Sequence, residues 1–195
     1  MDEKKILTDL LSPVSKTPEI FSEKLLMRYK SIARLSEAPV FELERILSSE
    51  SLAVYIKLAV SFSARCVIDD FKFSKKHTEE EIKEYFRALF LGRSVETVYA
   101  LLFDERDRVI ACEILGEGTV NSSAVMPRRL VELCLNTHAR SVILAHNHPG
   151  ATPEASAEDL EGTERLCSIL RPYGVEIREH YIFAEKSCIA LSFGR

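Results

Sequence analysis

No two of the five cysteines stand in a CxxC pair, and Cys66, Cys112, Cys134, Cys167 and Cys188 are scattered along the chain. An odd, dispersed set of this kind suits reduced thiols and a cytoplasmic setting. It excludes a disulfide scaffold and a cysteine-built zinc site. Long apolar runs are absent as well. No uninterrupted stretch approaches the roughly 20 residues that span a bilayer, so no membrane segment is expected. The opening MDEKKILTDLLSPVSK lacks the apolar core and small-residue cleavage site of a signal peptide. Positive charge is not in excess: the formal net charge of −4 argues against a strong non-specific hold on DNA, while leaving room for a local basic face. Internal repeats and low-complexity segments are missing too.

What is there is the composition of a folded protein. Of 195 residues, 46% are hydrophobic and 29% charged, enough for one sizeable domain or a modest one beside a small one. The spacing of Ile20, Phe21, Leu25, Leu26, Tyr29, Ile32 and Leu35 predicts helix, as do VFELERIL and SLAVYIKLAVSFSARC, the latter with Ser51 as N-cap. A small helical domain is expected over 1–68. The charged DDFKFSKKH (69–77) reads as a linker, and a second domain is expected over 78–195. Thr78 and Glu81 form a capping-box pattern for a helix that closes on Gly92, with the EEE run at 79–81 complementing the helix dipole.

Beyond Gly92 the pattern turns to strands. VETVYALLF and RVIACEIL, joined by DERD, read as a hairpin, which GEGTV extends past a bulge. PRRLVELCLNTH reads as a helix with Pro127 at N1 and an apolar face of Leu130, Val131, Cys134 and Leu135. SVILA is a short, wholly apolar and therefore central strand. A helix from Ser156 to about Arg171 and two last strands, VEIREHYIFA and CIALSF, complete an α/β or α+β unit in which helices pack on a mixed sheet.

The stretch HNHPGATPEASAED, 146–159, carries the chemistry. His146 and His148 lie two apart at the end of a strand, so both rings point to one side. Pro149 ends the strand. Ser156 opens a helix, and Asp159 sits in its first turn, where a carboxylate is favoured by the dipole. Two imidazoles and a carboxylate with a fourth position open for water are the donor set of a catalytic zinc. Read from the residues alone, the alternative of a polar loop with two histidines stays open. Cys134 and His138, four apart on a helix, are a lesser metal candidate, since Cys134 falls on the apolar face.

The string AHNHPGATPEASAED resembles the signature of the RadC family, a branch of the JAMM (also JAB or MPN+) metalloproteins. The resemblance extends from about Val95 to Phe193, through ETVYALLFDERDRVIACEILGEGTV, VMPRRLVELCLNTHARSVILAHNHP and EHYIFA. It implies a JAMM or cytidine-deaminase-like mixed sheet flanked by helices, with His146, His148 and Asp159 as ligands of Zn2+. It further implies Ser156 as the residue that holds a polarised carbonyl oxygen, and Glu96, near the start of the first hairpin strand, as general base. Glu113 and Glu117 fit that role less well. Asn147, between the ligands, should face away from them, where it can support the site from behind. His180 matches a histidine of the family's late strand, with no role derivable from the sequence.

Three departures stand out. Gly150-Ala151 replaces the family's Ser-Gly, and Arg129 stands where an acidic residue is usual. The family's glycine hairpin, which can hold DNA phosphate on backbone N–H groups, is replaced by ILSSESLAVYIKLAVSF, so DNA binding through the helical domain is not expected. The resulting expectation is a zinc metallohydrolase acting on a peptide or isopeptide amide, with an unidentified protein or peptide as substrate. The alternative is a non-catalytic JAMM-fold adaptor or DNA-repair-associated protein.

Overall fold

The computed structural model describes residues 2–118, 125–150, 154–184 and 187–193. The chain divides into two compact units, one of residues 1–66 with 91–94 and one of 67–90 with 95–195. The first is helical and the second holds a mixed sheet, an α+β organisation.

In the helical unit, α1 (Glu3–Leu11), α2 (Pro18–Tyr29), α3 (Ile32–Glu37), α4 (Val40–Leu47) and the first part of α5 (Glu50–Asp70) surround a core that includes Leu7, Leu11, Leu25, Leu35, Leu43, Leu47 and Ile56. The apolar pattern read as one helix over Ile20–Leu35 is two. Lys30 takes a left-handed φ of 68°, and the Ser31 side chain caps α3 by accepting from the Arg34 amide at 3.2 Å. A periodic pattern cannot register this, because residues on both sides of the break still face one core. The cap of α5 is Ser49 rather than Ser51: the Leu52 amide donates to Ser49 Oγ at 3.3 Å. By length and composition α5, at 21 residues, is long and apolar enough to cross a membrane. Counting uninterrupted apolar residues overlooks it because Lys57, Ser61, Ser63 and Arg65 break the run, while the mean hydropathy over the helix stays high.

In the sheet unit, α6 (Glu79–Phe90) starts at the expected capping box. The Thr78 amide donates to Glu81 Oε2 at 2.8 Å, and the Glu81 amide donates to Thr78 Oγ1 at 3.2 Å. The charged 69–77 segment is anchored rather than tethering: Phe71 is buried, and His77 stacks on it with ring centroids 3.9 Å apart. Then follow β1 (Thr97–Phe103), β2 (Val109–Glu117), α7 (Val125–Thr137), β3 (Ser141–Asn147), α8 (Ala157–Leu170), β4 (Glu176–Ala184) and β5 (Ser187–Ala190). The strand order is β2-β1-β3-β4-β5. Only β3–β4 is parallel, which requires the crossover through α8.

The expected bulge in β2 lies at Leu115, since Val98 pairs with Gly116 and Tyr99 with Ile114. The end of GEGTV lies outside the described residues. β1 and β3 are buried along their whole length, as their near-continuous apolar sequences require. Odd positions such as Tyr99, Leu101 and Ile143 join an aromatic core with Phe86 of α6, and even positions such as Ala100, Leu102 and Leu144 join Leu130 of α7 and Leu166 of α8. α7 is described from Val125, so Pro127 stands past N1. A first turn tolerates this, because its amides lack intrahelical acceptors anyway. Leu130 and Cys134 are buried, while Leu135 is exposed, so the apolar face of α7 is narrower than its sequence suggests.

Candidate metal centre

The site is built where β1, β3 and α8 meet. β1 and β3 run antiparallel, with Val98 opposite His146. Side chains alternate along a strand, so Glu96, two residues before Val98, falls on the same face as His146 and beside the line of His148. The His148 amide donates to the Phe183 carbonyl at 2.8 Å, which keeps the backbone extended one residue past β3, up to Pro149. Gly150 then turns the chain with a left-handed φ of 69°. Glycine suits that conformation better than the serine the family usually carries, whereas Ala151 lies outside the described residues.

Asp159 comes from the first turn of α8. Ser156 caps that helix, with its hydroxyl accepting from the Asp159 amide at 3.1 Å. Reciprocally, the Ser156 amide and hydroxyl donate to Asp159 Oδ2 at 2.8 and 2.6 Å. Such a cap contributes about 1 kcal/mol to the helix. It also pins the carboxylate, with Oδ1 lying 3.3 Å from His146 Nε2.

One ligand atom from each of Glu96, His146, His148 and Asp159 lies within 4.8 Å of all the others. His146 Nε2 and His148 Nε2 are 2.9 Å apart, and His148 Nε2 is 3.7 Å from Asp159 Oδ2. These separations bracket the edge of about 3.3 Å that a tetrahedral ion with bonds of about 2.0–2.1 Å sets between its ligands. The donor set and its spacing therefore fit a divalent metal.

Asn147 points to the opposite side and clamps the chain around Glu96. The Thr97 amide donates to its Oδ1 at 2.8 Å, and its Nδ2 donates to the Val95 carbonyl at 3.1 Å. Glu113 lies 3.9 Å from Arg129, so the unusual arginine meets an acid of β2. Among the described residues, neither Glu113, Glu117 nor the Cys134–His138 pair belongs to the metal-competent group. Two buried residues behind His146 have no role assigned from sequence: His180 of β4, with Nε2 2.8 Å from His146 Nδ1, and Thr163 of α8, with Oγ1 2.7 Å from His180 Nδ1. The only sequence signal for Thr163 is its position one helical turn after Asp159.

Burial governs the electrostatics. It pushes His146 down to about 4, with the Asp159 charge opposing and His148 reinforcing. His180 is pushed down to about 3, again first by burial and then by His146. For Asp159, burial alone would raise the carboxyl, but the Ser156 hydrogen bonds and the two imidazoles hold it below its ordinary value. Both buried rings are thus neutral at neutral pH in the folded chain, whereas in the unfolded chain they titrate near about 6.5. Between about pH 6.5 and 4 the unfolded state binds more protons, so the metal-free protein should lose stability as pH falls through that window. Urea-denaturation midpoints at stepped pH measure this. His180→Asn should flatten the slope, and a wild-type midpoint that rose on acidification would contradict the arrangement.

Comparison with known proteins matches residues 76–195 to the RadC-like JAB domain. The UPF0758 protein of Photobacterium profundum is 35% identical over 133 residues, 62% of this chain and 59% of that protein. The UPF0758 protein of Herminiimonas arsenicoxydans is 37% identical over 110 residues, 56% of this chain and 49% of that protein. The UPF0758 protein of Neisseria meningitidis serogroup B is 31% identical over 166 residues, 84% of this chain and 73% of that protein. Relative to the first two, the chain spans about half of the curated relative's length.

Proposed function

The chain belongs to the RadC-like JAB domain family, and on that premise we propose that it is a zinc-dependent hydrolase of peptide or isopeptide amides. The observation that carries this reading is the convergence of Glu96, His146, His148 and Asp159 within 4.8 Å. His146, His148 and Asp159 would hold the ion, and Glu96 would stand beside it as a carboxylate left over for proton transfer. When bound, zinc supplies a Lewis acid that brings the proton loss of water to about pH 7.

The chain's own residues do the rest. Glu96 takes a proton from the attacking water and delivers it to the leaving amine nitrogen, so one carboxylate serves as base and then as acid. Asn147 fixes the backbone on both sides of Glu96 and so limits where that carboxylate can swing. Ser156 at present gives its hydroxyl proton to Asp159. To hold the oxygen of a polarised carbonyl it turns about its Cα–Cβ bond, while its amide keeps Asp159 in place. The five free cysteines support a reducing, cytoplasmic setting for this chemistry.

Two imidazoles and one carboxylate also suit non-haem iron. Elemental analysis of the purified protein separates the two, with about one zinc per chain expected. Chelator-sensitive cleavage of a peptide or isopeptide library would support the hydrolase. A protein that takes up no zinc after reconstitution would refute it.

The helical unit is not proposed as a grip on duplex DNA. No glycine precedes Gly92, so the close-approach hairpin for phosphate is missing, and the chain is acidic overall. Titration with labelled duplex should show no tight, steeply salt-dependent binding. Micromolar binding that disappears on deleting residues 1–66 would reverse this conclusion.

A further inference from the structure

Behind the candidate centre runs a chain of hydrogen bonds whose proton positions can be deduced one after another. It starts at Thr163, a buried threonine inside α8. Its Oγ1 lies 2.6 Å from the Asp159 carbonyl oxygen and 2.7 Å from His180 Nδ1. A hydroxyl has one proton, and a carbonyl oxygen can only accept. If the proton pointed to His180, two bare oxygens would face each other at 2.6 Å. The proton therefore goes to the carbonyl, and Oγ1 accepts from His180 Nδ1–H.

A neutral imidazole carries one N–H, so His180 Nε2 is then a bare acceptor. It lies 2.8 Å from His146 Nδ1, which must be the donor. His146 is left with its proton on Nδ1 and its lone pair on Nε2, the atom that faces His148 and Asp159.

We propose that Thr163 and His180 are positioning residues that lock His146 in the Nδ1–H tautomer, so that Nε2 is presented as a ligand before any metal arrives. The proposal rests on the reading of His146 as a metal ligand. Metal-binding histidines commonly donate their second ring nitrogen to a carboxylate, a carbonyl or water, which orients the ring and raises its basicity. Here the acceptor is a second imidazole. An imidazole can turn its protons round, so a further group must hold it in one sense, and Thr163 does so through a helix carbonyl that cannot donate. Because Thr163 follows Asp159 by one turn, α8 supplies both a ligand and the end of the relay that orients another.

The test begins with the wild-type protein freed of metal. Long-range nitrogen–proton NMR at neutral pH should show His146 with N–H at Nδ1 and an unprotonated Nε2, and His180 likewise. This readout does not depend on whether the protein hydrolyses anything, so its failure is distinguishable from failure of the hydrolase reading. Thr163→Val keeps the shape and removes the hydroxyl. It should mix the His146 tautomers and weaken zinc affinity, measured by competition with a chromophoric chelator, by about 10–100-fold. Thr163→Ser should restore both. A wild-type His146 protonated at Nε2 would overturn the proposal even if Thr163→Val failed to fold. So would a folded Thr163→Val with unchanged tautomer and affinity.

Discussion

Glu96→Gln should leave about one zinc bound per chain and lower the rate of amide hydrolysis by about 10²–10⁴-fold, the range that one general acid–base group supplies. The amide has the size and hydrogen-bonding reach of the carboxylate but cannot take up a proton at neutral pH. Two features of the structure make the experiment selective. Glu96 precedes β1 and is exposed, so its replacement disturbs no core packing. The backbone on either side is held by Asn147 and not by the Glu96 side chain. Rate and metal content are measured on the same preparation. If both fall together, Glu96 is a fourth ligand and the site has no base of its own. If neither changes, the carboxylate is a bystander. A protein that keeps its zinc and never hydrolyses, in either form, is the adaptor.

The second large effect is expected at His148. His148→Ala should empty the site, with zinc affinity falling by more than about 100-fold, beyond what loss of a supporting group costs. Circular dichroism should be little changed. The choice between the two histidines follows from burial. The His146 side chain is 1% exposed and tied to His180, so removing it would open a cavity in the core and break the relay along with the ligand. The His148 side chain is 18% exposed, and its main structural bond, to the Phe183 carbonyl, is made by the backbone amide and survives the substitution. Equal zinc in wild type and His148→Ala after dialysis would remove His148 from the ligand set. Ser156→Ala is a milder companion, since it releases one of the two bonds that pin Asp159 Oδ2 while leaving the amide bond.

Much of the sheet unit is legible in the sequence because its signals are short-range. The Thr78–Glu81 capping box forms as read, and α8 starts behind Ser156 with Asp159 in its first turn as expected, the two closing a reciprocal cap that the sequence reading does not name. SVILA reads as a short central strand, and β3 is the middle strand of five, buried along its whole length. Where sequence and structure differ, the competing effect is equally local but leaves no mark in hydrophobic spacing. The break at Lys30 is one left-handed residue followed by a serine cap. The cap of α5 lies two residues earlier than read, on another serine of the run SSES. The segment 69–77 looks solvated by its charge, yet Phe71 carries it into the core, since one aromatic side chain outweighs several surface charges that can stay wet.

By itself the sequence determined that His146 and His148 share a side, because a strand repeats every two residues, and that Asp159 is offered from a helix N-terminus, because the cap is encoded beside it. Only the tertiary structure decided what meets them. The antiparallel register of β1 on β3 brings Glu96 to the histidines, and the contact that secures it, Thr97 to Asn147, spans 50 positions. The parallel pairing of β4 on β3 places His180 against His146 across 34 positions. Strand register is a collective outcome of packing on both faces of a sheet. A slip of one residue would have turned Glu96 or His180 to the opposite face with almost no change in the local pattern of either strand.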